Sequence, residues 1–281
     1  MPALRLSFIA ICALLSLAGC ARAPSNTPTR IALLAPFEGR YREIGYNALY
    51  AAQLALQDID DHTFELLPVD DGGSAASAGA RARALALDPA VQAAVVLGYA
   101  ATDPDTLRFY GNLPVLVVGH WDAQPQPPNV FALVPAALED TLTTPRRVEV
   151  TTAARLPAPL VGSDVLALAQ FPRLRADLNS VVIVSSGSLP TPEFTARYLA
   201  SSPFAPMPGL LASLTYDAVR IAALAVAEPG RAAAARRLAA VRYQGLNGTV
   251  SFENGWWRSA PINYYQFDDQ GRLVPVDRVV E

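Results

Sequence analysis

Lysine is absent from these 281 residues; all the positive charge is arginine, which we read as coding bias rather than chemistry. Cysteine is nearly absent. The two that occur, Cys12 and Cys20, both fall at the N-terminus, so a core built from the rest of the chain can hold no internal disulfide. Two histidines, His62 and His120, are too few for a histidine-built metal site, and no metal is expected. The net charge of −3 lacks the basic excess that a nucleic-acid face needs, which excludes that partner class. There is no G-x-S-x-G elbow, no H-E-x-x-H pair, no Walker loop and no nucleophilic cysteine, and His120 beside Asp122 has no evident serine partner. The reading is therefore of a protein that is not an enzyme and needs no cofactor.

What the chain has in quantity is apolar sequence. At 52% hydrophobic it can bury a sizeable core, in one domain or two lobes. The N-terminal part of it is an address. Arg5 precedes an apolar run over residues 6–17, the length of a signal-peptide core and too short for a spanning helix. The run ends Leu17-Ala18-Gly19-Cys20, similar to a bacterial lipobox, in which the cysteine is diacylated and becomes the new N-terminus. The bland alternative is an ordinary secretory signal with a chance cysteine; the small residues before Cys20 and the polar tether after it, residues 21–29, favour the anchor. Two or more acyl chains hold firmly, at about 0.8 kcal/mol per buried CH₂. The chain is thus expected to be exported and tied to a membrane, in the periplasm or on the outer face of the cell membrane.

Residues 30–60 set the pattern for the rest. A short apolar run, Ile31 to Leu34, suits a strand buried on both faces. Pro36 and Gly39 break it, and a helix follows with Leu49, Ala52, Leu56 and Ile59 on one face. In open α/β sheets ligands bind at the carboxyl ends of strands, so the turn 37–45 faces any site. Strands are expected at 64–70, 91–98, 115–118 and 130–133, with a helix over 75–87 capped by Ser74 and another over 104–112. Alternating strands and helices imply α/β architecture with a parallel sheet and right-handed crossovers. Between 139 and 159 the pattern fails: Pro145, Pro157 and Pro159 break it, and 148–150 reads as extended. Regularity resumes with 159–161, a strand at 181–185, and helices over 192–200, 211–227 and 231–241, the longest with Leu214, Ala218, Ile221 and Ala225 on one face. Short strands at 249–252, 263–268 and 273–276 read as a meander.

Four stretches in this order resemble the type I periplasmic binding proteins of the branched-chain amino-acid class, the solute receptors of ABC importers. Residues 35–58 are similar to that family's opening strand, glycine turn and helix. VLGYAATDPDTLRFYGNLPVLVVG, 96–119, resembles its "IGPxSS…VPVISP" run, and VFALVP, 130–135, its "VFRTxP" approach to the first hinge crossing. SLTYDAVRIAALAV and QGLNGTVSFENG, within 213–255, are similar to its "YDAV" helix and "FxGxxGxxxFxxxG" motif. The resemblance implies a two-lobed α/β fold: lobe one at about 30–137 plus 203–245, lobe two at about 138–202 plus part of 246–281. Residues 138–160 stand where the family has two to three βαβ units of roughly 30 residues each, so lobe two is expected to be reduced.

The resemblance also places a ligand. The family's carboxylate-binding "SS" falls on Ala101 and Thr102, and the loop after its fourth strand on Gly119, His120 and Trp121. His120 would donate to a carboxylate and Trp121 cover an apolar tail; alternatively the two plug a cleft no longer used. Gly162-Ser163-Asp164 resembles the family's "GGD/EG" turn, whose acid accepts an ammonium; Asp164 serves equally as a helix cap. Asp70 and Asp71 read as turn formers, and Trp256 with Trp257 as either a partner surface or packing. The implied function is delivery of an amino acid or similar small solute to ABC permease subunits; the alternative is a sensor or envelope scaffold with a degenerate cleft. Cys20→Ser should leave the membrane fraction or accumulate as unprocessed precursor; identical partitioning of variant and wild type in a fractionation assay refutes the anchor.

Overall fold

The computed structural model describes residues 28–59, 63–126, 128–145, 147–228 and 230–277. The leader at 6–17, Cys12, Cys20, most of the tether and His62 lie outside the described residues. Strand β1 (Thr29–Ala35) is fully buried from Ile31 onward, with parallel partners on both sides: β2 (Phe64–Asp70), where Leu34 lies opposite Val69, and β3 (Val91–Val96), where Ala32 lies opposite Ala94. A central strand with both faces covered has no place for polar residues, which is why it reads as an unbroken apolar run. β2 is half exposed and carries Pro68, which cannot donate to a ladder and is tolerated because β2 is the sheet's edge. Outward from β3 come β4 (Val115–Val117) and β5 (Val130–Ala132), both parallel.

Helices cover this sheet. The first, α1 (Arg42–Gln57), buries Ile44, Ala48, Ala51, Ala52 and Ala55. Its inward stripe is therefore mostly alanine, offset from the expected leucine face. Alanine lets the neighbouring helix approach closely, while Leu49 and Leu56 pack as flanks. α2 (Ala75–Leu87) starts at Ser74, whose hydroxyl accepts from Ser77 N at 3.2 Å, and α3 (Pro104–Phe109) starts at Asp103. Beyond β5 the chain turns at α4 (Val150–Ala153), where the sequence suggested extended backbone; Val150 and Ala153 are both fully buried there.

A second, smaller sheet follows. β6 (Leu160–Gly162) is parallel to β7 (Val181–Ser185). After β7, α5 (Pro192–Ala200) packs Phe194 and Tyr198 on α1 and on α6 (Leu210–Val226) rather than on its own sheet. α6 is buried nearly all round, which its continuous apolar sequence requires. α7 (Arg231–Ala239) leads to the C-terminal strands, which do not form the expected meander. β8 (Tyr243–Gly245) and β9 (Gly248–Val250) make a separate hairpin. β10 (Phe252–Glu253) and β11 (Trp256–Trp257) extend the first sheet beyond β5, burying Trp257. β12 (Asn263–Phe267) joins the second sheet antiparallel to β7, and β13 (Leu273–Val276) closes its edge. These strands are split because each pairs with whichever sheet edge lies open beside it. The result is two lobes, one of seven strands and one of four. Among the described residues no helix is long and apolar enough to cross a membrane.

One buried acid joins these parts. Asp217 of α6 accepts Leu246 N at 2.9 Å, Asn247 N at 3.0 Å and Asn247 Nδ2 at 2.7 Å. Asn247 in turn accepts from Ser188 N, after β7, at 2.7 Å and from Ser213 Oγ at 3.0 Å. Gly245 sits against this carboxylate so closely that a Cβ there would lie 2.4 Å from Asp217 Cγ. Burial raises the Asp217 pKa, opposed by the three N–H donors. Asp217→Ala orphans those donors and should remove about 3 kcal/mol or more, read as a lower urea midpoint at unchanged slope; a loss under about 1 kcal/mol means the network is dispensable.

Candidate functional site

The carboxyl ends of the two sheets meet. On the larger, residues 98–102 follow β3 and 118–122 follow β4; on the smaller, 163–167 follow β6 and 185–187 follow β7. All six residues singled out from the sequence lie on this seam or directly beneath it, and each is buried. Asp164, 1% exposed, reaches across: its Oδ2 accepts the backbone N–H of His120 at 2.7 Å, and its Oδ1 accepts the Ser185 hydroxyl at 2.6 Å. Asp164 opens a short 3-10 turn, Asp164–Ala167, but no side-chain cap bond forms there; its carboxylate is used between the lobes instead.

Gly119 makes the contact possible. Its φ of +83° suits glycine, and a Cβ would lie 2.8 Å from Leu211 Cδ2 and 3.2 Å from Asp164 Oδ2. Trp121, 2% exposed, donates Nε1–H to Val118 O at 2.6 Å and stands edge-on to Tyr99, ring centroids 5.3 Å apart. Thr102 is turned inward, its hydroxyl donating to Gly98 O at 2.8 Å, and Ala101 is fully buried beside it. The space bordering Asp164, walled also by Glu43, Asn47 and Leu211, is about 20 Å³, room for a single water. Burial pushes the Asp164 pKa up, opposed by the Ser185 hydroxyl, the His120 amide and the charge of the His120 ring.

Further contacts close the lobes, from residues that the sequence reading did not single out. Glu43 Oε1 accepts Ala169 N at 2.8 Å, and Gln170 donates to Arg40 O at 3.0 Å. Tyr41 OH donates to Glu149 and accepts Val150 N at 3.0 Å. The Tyr99 hydroxyl sits between the N–H and C=O of Val148, 3.3 Å from each, and burial pushes its pKa up to about 12. The signal for these was the position of Tyr41 and Glu43 in the 37–45 turn, the segment expected to face a site; their partners, 108 residues or more away in the chain, carried none.

Where the turns after β1, β2 and β3 meet residues 147–149, a cavity of about 280 Å³ stays open, with Glu38, Asp71, Tyr99, Arg147 and Glu149 among its walls. Asp71 and Asp70 do form turns, accepting Gly73 N at 2.8 Å and Gly72 N at 2.9 Å, and Asp70 also holds Phe37 N at 2.8 Å.

No protein-family model matches the sequence, and no curated protein matches it in sequence. Solved structures do match. A leucine-binding protein from Thermotoga maritima superposes with a TM-score of 0.68 at 12% identity, over 89% of this chain and 98% of its own. The branched-chain amino acid transporter substrate-binding protein of Streptococcus pneumoniae, solved with isoleucine, gives 0.62 at 15% over 89% and 100%. A Rhodospirillum rubrum protein described as a branched-chain amino acid ABC transporter gives 0.61 at 18% over the same shares. The fold is that of the type I periplasmic binding proteins.

Two substitutions probe the seam. Asp164→Asn keeps an acceptor for His120 N–H and offers a donor to Ser185, whereas Asp164→Ala leaves two buried donors unmet and should cost about 2–4 kcal/mol. Because its folded pKa lies above 3.8, Asp164 contributes stability that is present below that pH and lost as pH rises through the folded value. In urea melts the wild type should therefore lose ground to Asp164→Asn between pH 4 and pH 7; a gain would show that the seam favours the ionised carboxylate.

Proposed function

We propose that this chain is an exported solute-binding protein, held to a membrane by acylated Cys20, that presents an amino acid or similar small polar solute to an ABC permease. One observation carries the reading. A backbone amide on one lobe and a carboxylate on the other face each other across the carboxyl edges of two sheets, in a fold whose solved neighbours include an isoleucine complex. An amino acid brings the complementary pair, an ammonium and a carboxylate. When the lobes part, Asp164 is released to accept the ammonium and His120 N–H to donate to the carboxylate, with the backbone at Ala101, Thr102 and Gly119 beside it and Trp121 as the apolar wall. In the closed form Asp164 occupies the donor that the solute's carboxylate would take, so the unliganded lobes are shut by a substitute for the solute.

A second reading is a non-transport sensor or scaffold lipoprotein, in which the seam never opens. The specific observation in its favour is that Asp164 already has both oxygens bonded, with room beside it for one water only. Thermal shift with the common amino acids, followed by calorimetry, separates the two. A specific solute stabilises by about 2.7 kcal/mol at a hundredfold excess over Kd. Asp164→Ala should weaken its binding about tenfold or more, whereas Thr102→Ala, whose hydroxyl is spent on Gly98 O, should leave it nearly unchanged. If no amino acid or small polar solute binds at millimolar concentration, the scaffold reading stands; if a solute binds and Asp164→Ala does not weaken it, its site is elsewhere.

A further inference from the structure

We propose that the groove between α1 and the loop joining α5 to α6 is a membrane-contacting face, which seats the body of the protein on a bilayer surface containing anionic phospholipid. This goes beyond the solute reading. It rests on the reading of Cys20 as an anchor only for the nearness of a bilayer.

The loop, residues 201–209, turns its largest apolar side chains outward: Phe204 is 81% exposed and Met207 70%. Its backbone is stiff. Pro203, Pro206 and Pro208 fix their own φ. Ser202 Oγ accepts Phe204 N at 3.2 Å, and at the far end Gly209 N donates to Asn47 Oδ1 at 2.8 Å. The groove, about 580 Å³, lies between Phe204 and Pro206 of this loop and Arg42, Glu43, Tyr46 and Tyr50 of α1. A pinned loop that presents large apolar side chains beside an aromatic groove marks an interaction surface.

Charge selects the occupant. Arg42 is exposed on the groove wall, and among the described residues its guanidinium has no hydrogen bond or ion pair. Glu43, the acid on the same wall, is already engaged: it accepts Ala169 N at 2.8 Å, and the charge of Arg173 acts on it. The group the wall lacks is an anion. A lipid phosphate answers Arg42, and tyrosines, with apolar bodies and polar tips, are the side chains enriched at the bilayer interface. Phe204 and Met207 then enter the acyl boundary. A free phosphate would leave that apolar half bare. The geometry of the anchor allows the contact. Residues 21–28 link Cys20 to β1 and span about 30 Å at most. That exceeds the length of the 16-residue α1, about 24 Å, so the anchored body can lie with α1 and this loop against the bilayer.

The test is contact quenching of indole by lipids with brominated acyl chains. The full chain is mixed with vesicles of phosphatidylcholine alone or of phosphatidylcholine with phosphatidylglycerol, and the wild type supplies the background of its own tryptophans. Phe204→Trp and Met207→Trp, each keeping a large apolar side chain at an exposed position, should be quenched about twofold in the vesicles with phosphatidylglycerol. Adding Arg42→Gln to Phe204→Trp should weaken the contact about fivefold and remove most of the quenching. Leu87→Trp, at a 77% exposed position ending α2, is the control. β2 and β3 flank β1 on opposite sides, so right-handed crossovers put α1 and α2 on opposite faces of the sheet, and this reporter should stay unquenched. The proposal is overturned if neither loop reporter is quenched, if Leu87→Trp is quenched as strongly, or if Arg42→Gln or the omission of phosphatidylglycerol changes nothing. A blue shift that grows with protein concentration and ignores bromine gives the groove to a second copy, and overturns it too. Intact mass of the same preparation shows whether Cys20 is acylated. If it is not, the anchor reading fails, while this face stands or falls on quenching of the loop reporters at saturating vesicle concentration.

Discussion

The Asp164 carboxylate is the constraint on which the arrangement of the two lobes depends. Removing a carboxylate from water costs several kcal/mol, and the His120 amide, the Ser185 hydroxyl and the charge of the His120 ring offset part of that cost. Both donors are positioned by sheets, one at the end of β4 and one at the end of β7, so the bond is satisfied only when the two sheets face each other in one way. Gly119 enforces the same geometry sterically, because any side chain there would push Leu211 and Asp164 aside. A polar contact of this kind selects one closed arrangement out of many that apolar packing alone would permit.

The smaller lobe does not stand on its own core. Its sheet has four strands, two of them supplied by the C-terminal segment after the chain has returned from the larger lobe. Its helix α5 packs on α1 and α6 of the larger lobe, where Tyr198 OH lies 3.3 Å from Asn47 O and Tyr216 OH donates to Asp58 at 2.6 Å. The crossover at 147–150 is held by Tyr41 and Tyr99. A lobe built on four strands gains stability by packing on the surface of its neighbour. In the closed state the lobes are joined by hydrogen bonds that run through side chains, while backbone ladders stay within each sheet.

Much of this was legible in the residues. The β-branched and apolar runs at Ile31, Val91, Val115 and Val181 marked central strands because only a doubly covered strand tolerates such a run. Ser74 marked a helix start through its hydroxyl, and the prolines between 139 and 159 marked a stretch whose α-helix is the single turn α4. The six residues taken from the resemblance are on or under the seam. Illegible were their states: Thr102 and Asp164 both carry the expected polar atoms, yet one is turned onto Gly98 and the other bridges the lobes.

What the sequence by itself determined was local: which segments are strands and helices, which faces are apolar, where glycine allows a turn, and which strand ends carry polar groups. Hydrophobic periodicity and backbone sterics act over a few residues and leave their mark in consecutive letters. Only the tertiary structure decided which sheet received β10 to β13, that Tyr41 would meet Glu149, and that Asp164 would close on His120 rather than on a cap. Those outcomes depend on which edges and buried donors remain unsatisfied once the larger sheet has formed, and the 44 positions that separate His120 from Asp164 in the chain encode nothing about that distance.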